Sequence, residues 1–181
     1  GRIRDRIAER IDEIQRNADA LKKLDAFQSL GTVASENRYI RPEITTDGII
    51  SITEGRHPVV EHNMKDGEFI PNDTLLDSNE NRMMIITGPH MAGKSTYMRQ
   101  VALICLMAQI GSFVPASEAH LSGCDRIFTR VGASDDLASG QSTFMVEMSE
   151  TAYILRNATK DSLIILDEIA QVAVFFLADG S

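Results

Sequence analysis

The stretch MMIITGPHMAGKS, residues 83–95, decides the fold. It begins with a continuous apolar run, Met83–Thr87, which is typical of a buried strand in a parallel sheet. It ends where a helical pattern starts, since apolar side chains recur at helical spacing over Lys94–Ile110 and the pattern stops at Gly111. The residues between them, GPHMAGKS at 88–95, fit the pattern G-x-x-x-x-G-K-[ST]. The sequence therefore predicts a strand, a glycine-containing loop and a helix in direct succession.

This loop has the composition of a phosphate cradle. Its two glycines let the backbone turn closely, so that N–H groups point inward at phosphate oxygens, and the following helix adds the positive end of its dipole. Lys94 would place a positive charge on the β and γ phosphates, and the Ser95 hydroxyl would bind Mg²⁺. The alternative is a glycine turn with an incidental lysine. The candidate nucleotide contacts are Gly88, Pro89, His90, Met91, Ala92, Gly93, Lys94, Ser95 and Thr96.

A second apolar run has two acidic residues at its carboxyl end. Leu163–Leu166 is typical of a buried strand, and Asp167 and Glu168 follow it directly. Ligands of open α/β sheets bind at the carboxyl ends of strands. Asp167 would hold Mg²⁺ through a water molecule, and Glu168 would be the catalytic residue that orients or deprotonates an attacking water, assisted by Lys94 on the phosphates. Without the glycine loop, the same pair would be interpreted as a solvated strand end.

The charge of the chain changes near Arg41–Pro42, where we place a domain boundary. Residues 1–41 contain nine basic and seven acidic side chains, a net charge of +2, whereas residues 42–181 contain nine and nineteen, a net charge of −10. Apolar residues at helical spacing predict an amphipathic helix that is already under way at residue 1. Either the chain is a fragment that begins inside a longer helix, or a free-standing helix packs on the domain. The apolar positions are Ile3, Ile7, Ile11, Ile14, Ala18 and Leu21.

The rest of the chain alternates between strand and helix patterns. Residues 44–76 predict a small, mostly antiparallel β subdomain, in which Ile49–Thr53 is a strand and His57–Val60 continues as extended chain. Residues 82–169 predict an α/β core. Strands alternating with helices indicate a layered α/β fold with a mainly parallel sheet. The further elements of the core are a strand at Arg126–Val131, a polar loop at Asp135–Ser142 and a helix at Phe144–Ala158.

The composition is that of a globular domain, with 181 residues, 43% hydrophobic and 24% charged. No apolar run approaches the ~18 residues of a membrane span, and the N-terminus lacks the apolar core of a signal peptide. Cys105 and Cys124 have no metal or redox spacing, so a reduced, cytoplasmic protein is expected. We expect Cys105 to be buried, Cys124 to lack an activating neighbour, and His57 to be a packing or hydrogen-bonding residue. The net charge of −8 argues against strong nucleic-acid binding by this chain alone.

Five strings of the sequence resemble those of one family. They are EGRHP at 54–58, TGPHMAGKSTYMRQ at 87–100, DRIFTRV at 125–131, DDLASGQSTFMVEM at 135–148 and LIILDEI at 163–169. Over residues 1–169 the chain resembles the MutS family of DNA mismatch-repair ATPases, and residues 1–41 are similar to the end of the long lever helix of that family. The resemblance implies an ABC-type P-loop NTPase fold that takes ATP and Mg²⁺.

The resemblance also implies roles that spacing does not show. Phe69, with Ile70 beside it, matches the aromatic residue that stacks on the adenine base; a core phenylalanine is the alternative. Ser142 matches a serine that reaches the γ-phosphate of the partner subunit's nucleotide, because the ATPase sites of the family are composite across a dimer. Locally, Ser142 or Thr143 could also cap the following helix.

The sequence departs from the family pattern in two places. His90 stands where the family usually has asparagine, although the loop glycines are intact. After Ile169 the family continues with Gly-Arg-Gly-Thr-Ser, whereas this chain has AQVAVFFLADGS at 170–181. Our hypothesis is a reading-frame slip near the end of a partial gene sequence, and a genuine divergent terminus is the alternative.

We therefore expect the first part of the ATPase domain of a MutS-type mismatch-repair protein. The intact protein would bind mismatched double-stranded DNA, mainly through domains outside this chain, and couple ATP to a change of clamp state. It would form a homodimer, signal to a downstream mismatch-repair factor and lie in the bacterial cytoplasm near the nucleoid, without membrane contact. The rivals are another ABC-type P-loop ATPase, such as a chromosome-structuring or transporter subunit, and an inactive truncated assembly module. Turnover by these 181 residues alone is expected to be negligible.

Overall fold

The computed structural model describes residues 1, 4, 8, 10–64, 67–89, 92–130, 143–169 and 172–177. The described elements form a mixed α/β fold with two four-stranded sheets. The first sheet has the strand order β1-β5-β2-β3 and the second has the order β4-β8-β7-β6. In chain order the elements are α1 (Ile11–Glu36), β1 (Glu43–Thr45), β2 (Ile50–Gly55), α2 (Pro58–Asn63), β3 (Asn72–Leu76), β4 (Met83–Ile86), α3 (Lys94–Gln109), β5 (Glu118–Ser122), β6 (Arg126–Arg130), α4 (Thr143–Asn157), β7 (Ser162–Ile169) and β8 (Val172–Leu177).

The second sheet is less parallel than its sequence pattern indicates. β6 and β7 pair in parallel, but β8 is antiparallel to both of its neighbours, β4 and β7. The strands β4, β7 and β6 therefore run in one direction, with β8 reversed between β4 and β7. Only two residues separate β7 from β8. So short a connection permits an antiparallel pair but not a parallel one, which needs a crossover of a dozen or more residues.

The prediction of a buried parallel strand before the glycine loop is wrong in both respects. Among the described strands, β4 lies at the edge of its sheet and pairs with the antiparallel β8, and the side chains of Met83 and Ile85 are exposed. The apolar run therefore indicates a strand, but not burial of both of its faces.

β7 is the strand around which the core is built. Leu163 and Ile165 point to one face and belong to the main core cluster, together with Met98 and Ile104 of α3. The alternating residues Ile164 and Leu166 form a second cluster with Ile154 of α4. Because side chains alternate along a strand, β7 is buried on both faces, as the run Leu163–Leu166 predicts.

α3 also packs on the first sheet, so that one core joins both sheets. The main cluster contains Ile50 and Ile52 of β2 and Leu121 of β5 in addition to the α3 residues. The first sheet extends beyond residues 44–76, because β5 inserts between β1 and β2. Its pairing with β2 is antiparallel and its pairing with β1 is parallel.

The segment after His57 is helical rather than extended. α2 begins at Pro58, and His57 is its N-cap, with extended backbone and with Nδ1 accepting a hydrogen bond from the Val60 N–H at 3.2 Å. The effect of Pro58 on the residue before it is therefore present, but proline is also favoured at the first position of a helix. The buried His57 is a packing and hydrogen-bonding residue, as expected.

The long helix α1 makes few core contacts. Over its described length only Ala34 is buried, and Leu21 and Phe27 are exposed. Its carboxyl end is fixed by Arg56, whose guanidinium donates to the carbonyl oxygens of Asn37 and Arg38 at 3.2 and 3.3 Å. The helix that the periodicity predicts is present over Ile11–Glu36, with its apolar face open to solvent.

His120 on β5 joins two carboxylates near β1. Its Nδ1 lies 3.1 Å from Glu43 Oε2, and its Nε2 lies 2.7 Å from Asp47 Oδ2. Hydrogen bonds to Asp47 and Glu43 raise the pKa of His120 above its ordinary value of 6.5. Hydrogen bonds from His120 and Thr45 lower the pKa of Asp47 from 3.8 to about 2.

The contacts of His120 with Asp47 and Glu43 should stabilise the fold to an extent that depends on pH. The substitution His120→Gln should remove this pH-dependent contribution. The contribution of His120 is fully present below pH 6.5 and is lost as the pH rises through its raised folded pKa. The contribution of Asp47 is present above pH 3.8 and is lost as the pH falls through about 2. The thermal midpoint of the unchanged chain should therefore be higher than that of His120→Gln, and the difference should be largest between pH 3.8 and pH 6.5. The two midpoints should converge at alkaline pH. The exposed His62→Gln is the matched control, and a difference that persists unchanged at alkaline pH would contradict the assignment.

Candidate nucleotide-binding site

The glycine loop lies between the edge strand β4 and the N-terminus of α3. Gly93 is the N-cap of α3 and has a φ of 85°, a left-handed conformation that side chains other than glycine rarely adopt. A Cβ at Gly93 would meet no atom within 4 Å. Glycine is therefore required here by backbone conformation, and the space beside it remains open to a ligand.

Positive charge is concentrated at this end of α3. Lys94 is the first residue of the helix, and its Nζ donates to the carbonyl oxygens of Gly88 and Pro89, the latter at 3.3 Å. The first turn contains no acidic side chain. The helix N-terminus and the ammonium group are thus not compensated from within that turn, which favours an anion.

One cavity brings the loop together with a distant part of the chain. It has a volume of about 700 Å³, and Phe69 and Ile70 line it together with Ala92, Gly93, Lys94 and Thr96. Pockets for small ligands span roughly 300–1,000 Å³. The lining combines the aromatic Phe69 with the cationic Lys94, which suits a ligand that has a flat ring and an anionic tail, and it also contains the acidic Glu68 and Asp73.

Tyr97 connects the glycine-loop side of the cavity with the Phe69 side, and the sequence analysis did not predict this role. Tyr97 lines the same cavity, and its hydroxyl donates to the carbonyl oxygen of Asp73 at 2.8 Å and lies 2.8 Å from Thr74 Oγ1. These contacts tie α3 to β3, which follows Phe69 closely. Burial raises the pKa of Tyr97, so it remains a neutral hydrogen-bonding group. The sequence contained one indication of this role, because Tyr97 lies one helical turn after Lys94.

The strand β7, which contains Asp167 and Glu168, has an irregular pairing near its carboxyl end. Asp167 is 3% exposed and lies in β7. The pairing of β7 with β8 shifts by one residue between Leu166 and Ile169, as a β-bulge does. Bulges redirect side chains and recur beside active sites. The side chain of Glu168 lies outside the described part of the structure, as do His90, Met91 and Ser142.

The two cysteines are neighbours in the fold, which their spacing in the sequence does not indicate. Both belong to the main core cluster, and both are free thiols. A hydrogen bond with Cys124 and complete burial raise the pKa of Cys105. Cys105 is therefore buried, as expected. Cys124 has the Cys105 thiol as a hydrogen-bonding neighbour, which the sequence analysis did not predict. Among the described residues, no group of three or more His, Cys, Asp or Glu side chains could hold a metal ion by itself.

The fold and the site together define a mixed α/β protein with a glycine-containing loop at the start of a core helix. A family model described as "MutS domain V" matches residues 84–175, and the chain belongs to that family, as the resemblance predicted. It is similar to the DNA mismatch repair protein MutS of Lachnoclostridium phytofermentans, with 66% identity over 93% of this chain and 18% of the relative. The protein of the same name from Clostridium botulinum is 62% identical over the same shares of the two chains.

The chain thus spans about a fifth of the length of the curated relatives that it matches, 18% in each case. In the described residues, no helix has the length and apolar character that crossing a membrane requires.

Proposed function

We propose that this chain binds ATP with Mg²⁺ and forms the nucleotide-binding part of a DNA mismatch-repair ATPase. The observation that carries the proposal is the single cavity shared by Phe69, Gly93, Lys94 and Thr96. Phe69 would stack on the adenine, with Ile70 beside it, while the loop N–H groups and Lys94 would hold the phosphates. The residues present fit the ligand, because the space around a Cβ at Gly93 is open and the first turn of α3 contains Lys94 and no acidic side chain.

The magnesium ion would be held by the Ser95 hydroxyl and the Asp167 carboxylate, two hard oxygen ligands. When bound, it would neutralise charge on the phosphate oxygens. Gly88, Pro89, Ala92 and Gly93 would shape the cradle. On sequence alone, we assign His90 and Met91 to the same loop.

Hydrolysis requires a water in line with the γ-phosphate. Glu168 would orient that water and accept its proton as the new P–O bond forms, while the bond to the ADP oxygen breaks and Lys94 stabilises the charge on the phosphates. Ser142 of the neighbouring subunit would reach the same phosphate. Both assignments come from the sequence, and a dimeric site would make turnover depend on assembly.

The wider role of the intact protein is also part of the proposal. It would recognise mismatched double-stranded DNA, form a homodimer, couple ATP to clamp state and signal to a downstream repair factor in the bacterial cytoplasm. The net charge of −10 over residues 42–181 is consistent with DNA contact lying mainly in other domains.

The first test is the Mg²⁺ dependence of ATP binding. Titration of the chain with a fluorescent ATP analogue should give a lower Kd with Mg²⁺ than with EDTA. The ratio of the Kd in EDTA to the Kd with Mg²⁺ is the Mg²⁺-dependent gain in affinity. Asp167→Asn should reduce this gain about tenfold, equivalent to about 1.4 kcal/mol, and leave the Kd in EDTA within about twofold of that of the unchanged chain. Asp161→Asn, an exposed position before β7, is the matched control. The absence of ATP binding in the unchanged, folded chain would refute the proposed function, and an unaltered gain in Asp167→Asn would refute the metal assignment.

A further inference from the structure

We propose that Arg130 is a positioning residue for Asp167, and that Glu150 holds Arg130 in place. This inference rests on the proposed function. Arg130 is the last residue of β6 and pairs in parallel register with Leu166 of β7. Its Nη1 lies 3.3 Å from the carbonyl oxygen of Asp167 and donates a hydrogen bond to it. Its Nε lies 3.4 Å from Glu150 Oε2 on α4.

The contact holds the backbone beside a shift in strand pairing. Over the described residues the β6–β7 pairing runs to Leu166, and the β7–β8 pairing shifts register between Leu166 and Ile169. Asp167 lies in this interval. A hydrogen bond to its carbonyl oxygen fixes the peptide plane next to its Cα, and thereby the direction in which the carboxylate leaves the strand.

Burial of Arg130 indicates more than a packing role. The residue is 3% exposed and lies beside the second apolar cluster, where an aliphatic side chain would fill space without the cost of removing a cation from water. The planar guanidinium offers several donors in fixed directions, so it can donate to the Asp167 carbonyl while its positive charge lies beside the Glu150 carboxylate. An aliphatic residue could make neither contact, and a lysine lacks the fixed planar arrangement of donors.

The arrangement also connects α4 to the metal ligand. The side chain of Glu150 is 52% exposed, whereas that of Arg130 is 2% exposed. Glu150 is therefore the accessible end of a chain of contacts that runs from the surface of α4 through Arg130 to Asp167. A displacement of α4 that withdraws Glu150 would remove the carboxylate beside the guanidinium and weaken its hold on Asp167.

The test measures the Kd of the fluorescent ATP analogue for the full chain, with Mg²⁺ and with EDTA, alongside the urea midpoint. Arg130→Met should reduce the Mg²⁺-dependent gain in affinity about tenfold, the usual effect of losing an outer contact to a metal ligand. The Kd in EDTA should stay within about twofold, because the glycine loop is untouched. Glu150→Gln should act in the same direction by a smaller factor, because Glu150 acts on Asp167 only through Arg130. Glu118→Gln is the matched control, because it removes the same charge from an exposed carboxylate on the first sheet.

A charge exchange separates positioning from a plain ion pair. Arg130→Glu combined with Glu150→Arg restores opposite charges, but glutamate cannot donate to the Asp167 carbonyl. The Mg²⁺-dependent gain should therefore remain low in the double variant. Full recovery in that variant, or an unaltered gain in a folded Arg130→Met, would overturn the inference. If Arg130→Met does not fold, an unaltered gain in Glu150→Gln overturns it. Failure of the unchanged chain to bind ATP at all would instead remove the proposed function, and this inference with it.

Discussion

Lys94→Ala should raise the Kd for ATP about 10- to 100-fold, the effect of losing a hydrogen bond from a charged donor worth roughly 1.5–3 kcal/mol. Lys94 places its ammonium group in the cavity at the N-terminus of α3, and it already bonds carbonyl oxygens of the glycine loop. An alanine keeps the helical conformation but leaves the phosphates with backbone donors only. Because alanine favours helix, the substitution should not destabilise α3.

The measurement is a titration of ATP in the presence of Mg²⁺, with folding checked by circular dichroism. Lys23→Ala, an exposed lysine on α1, is the matched control because it changes the same charge far from the cavity. Equal affinities of the Lys94→Ala and Lys23→Ala variants would remove Lys94 from the site. Equal losses in both variants would reduce its role to general electrostatic attraction.

Leu163→Ala should lower the free energy of unfolding by about 2–5 kcal/mol, the range observed for buried leucine-to-alanine substitutions. Leu163 is 0% exposed and lies in β7, on the face that packs against α3. The substitution leaves a cavity in the core cluster that joins the two sheets, and the surrounding side chains can fill it only in part. Such a loss is a large part of the roughly 5–15 kcal/mol that stabilises a typical domain.

Urea unfolding followed by circular dichroism tests this prediction. Leu155→Ala on α4 is the matched control, since this leucine is 60% exposed and its removal should change stability by about 0.5 kcal/mol or less. Similar urea midpoints for the two variants would show that β7 is not the centre of the core.

The elements of the site were predictable where one local pattern was enough. The glycine loop, the helix that starts at Lys94 and the buried run Leu163–Leu166 each have a short-range signature, because backbone conformation and burial of both strand faces act on neighbouring residues. The same holds for the helix predicted at Phe144–Ala158, which the structure has as α4, Thr143–Asn157. Pro58 was ambiguous, since proline disfavours helix at the residue before it but suits the first residue of a helix.

Pairing between distant segments was not predictable in this way. β5 inserts between β1 and β2, although about 65 residues separate it from β2. The antiparallel β8 lies between β4 and β7, which leaves β4 at the edge of the sheet that the described strands form, with Met83 and Ile85 exposed. An apolar run indicates that a strand is stabilised by burial. Which of its faces is buried depends on the elements that pack against it, and these come from other parts of the chain.

The chemistry of the site divides in the same way. The residue types at 88–95 and at 167–168 predict phosphate and metal binding from donor type and close spacing alone, and these assignments remain predictions. The meeting of Phe69 with Lys94 and the Tyr97 contact to Asp73 depend on how α3 packs against the first sheet, and the Arg130 contact to Asp167 depends on the pairing of β6 with β7. These contacts join residues that are up to 37 positions apart, and only the packing of the folded chain brings such groups within hydrogen-bonding distance.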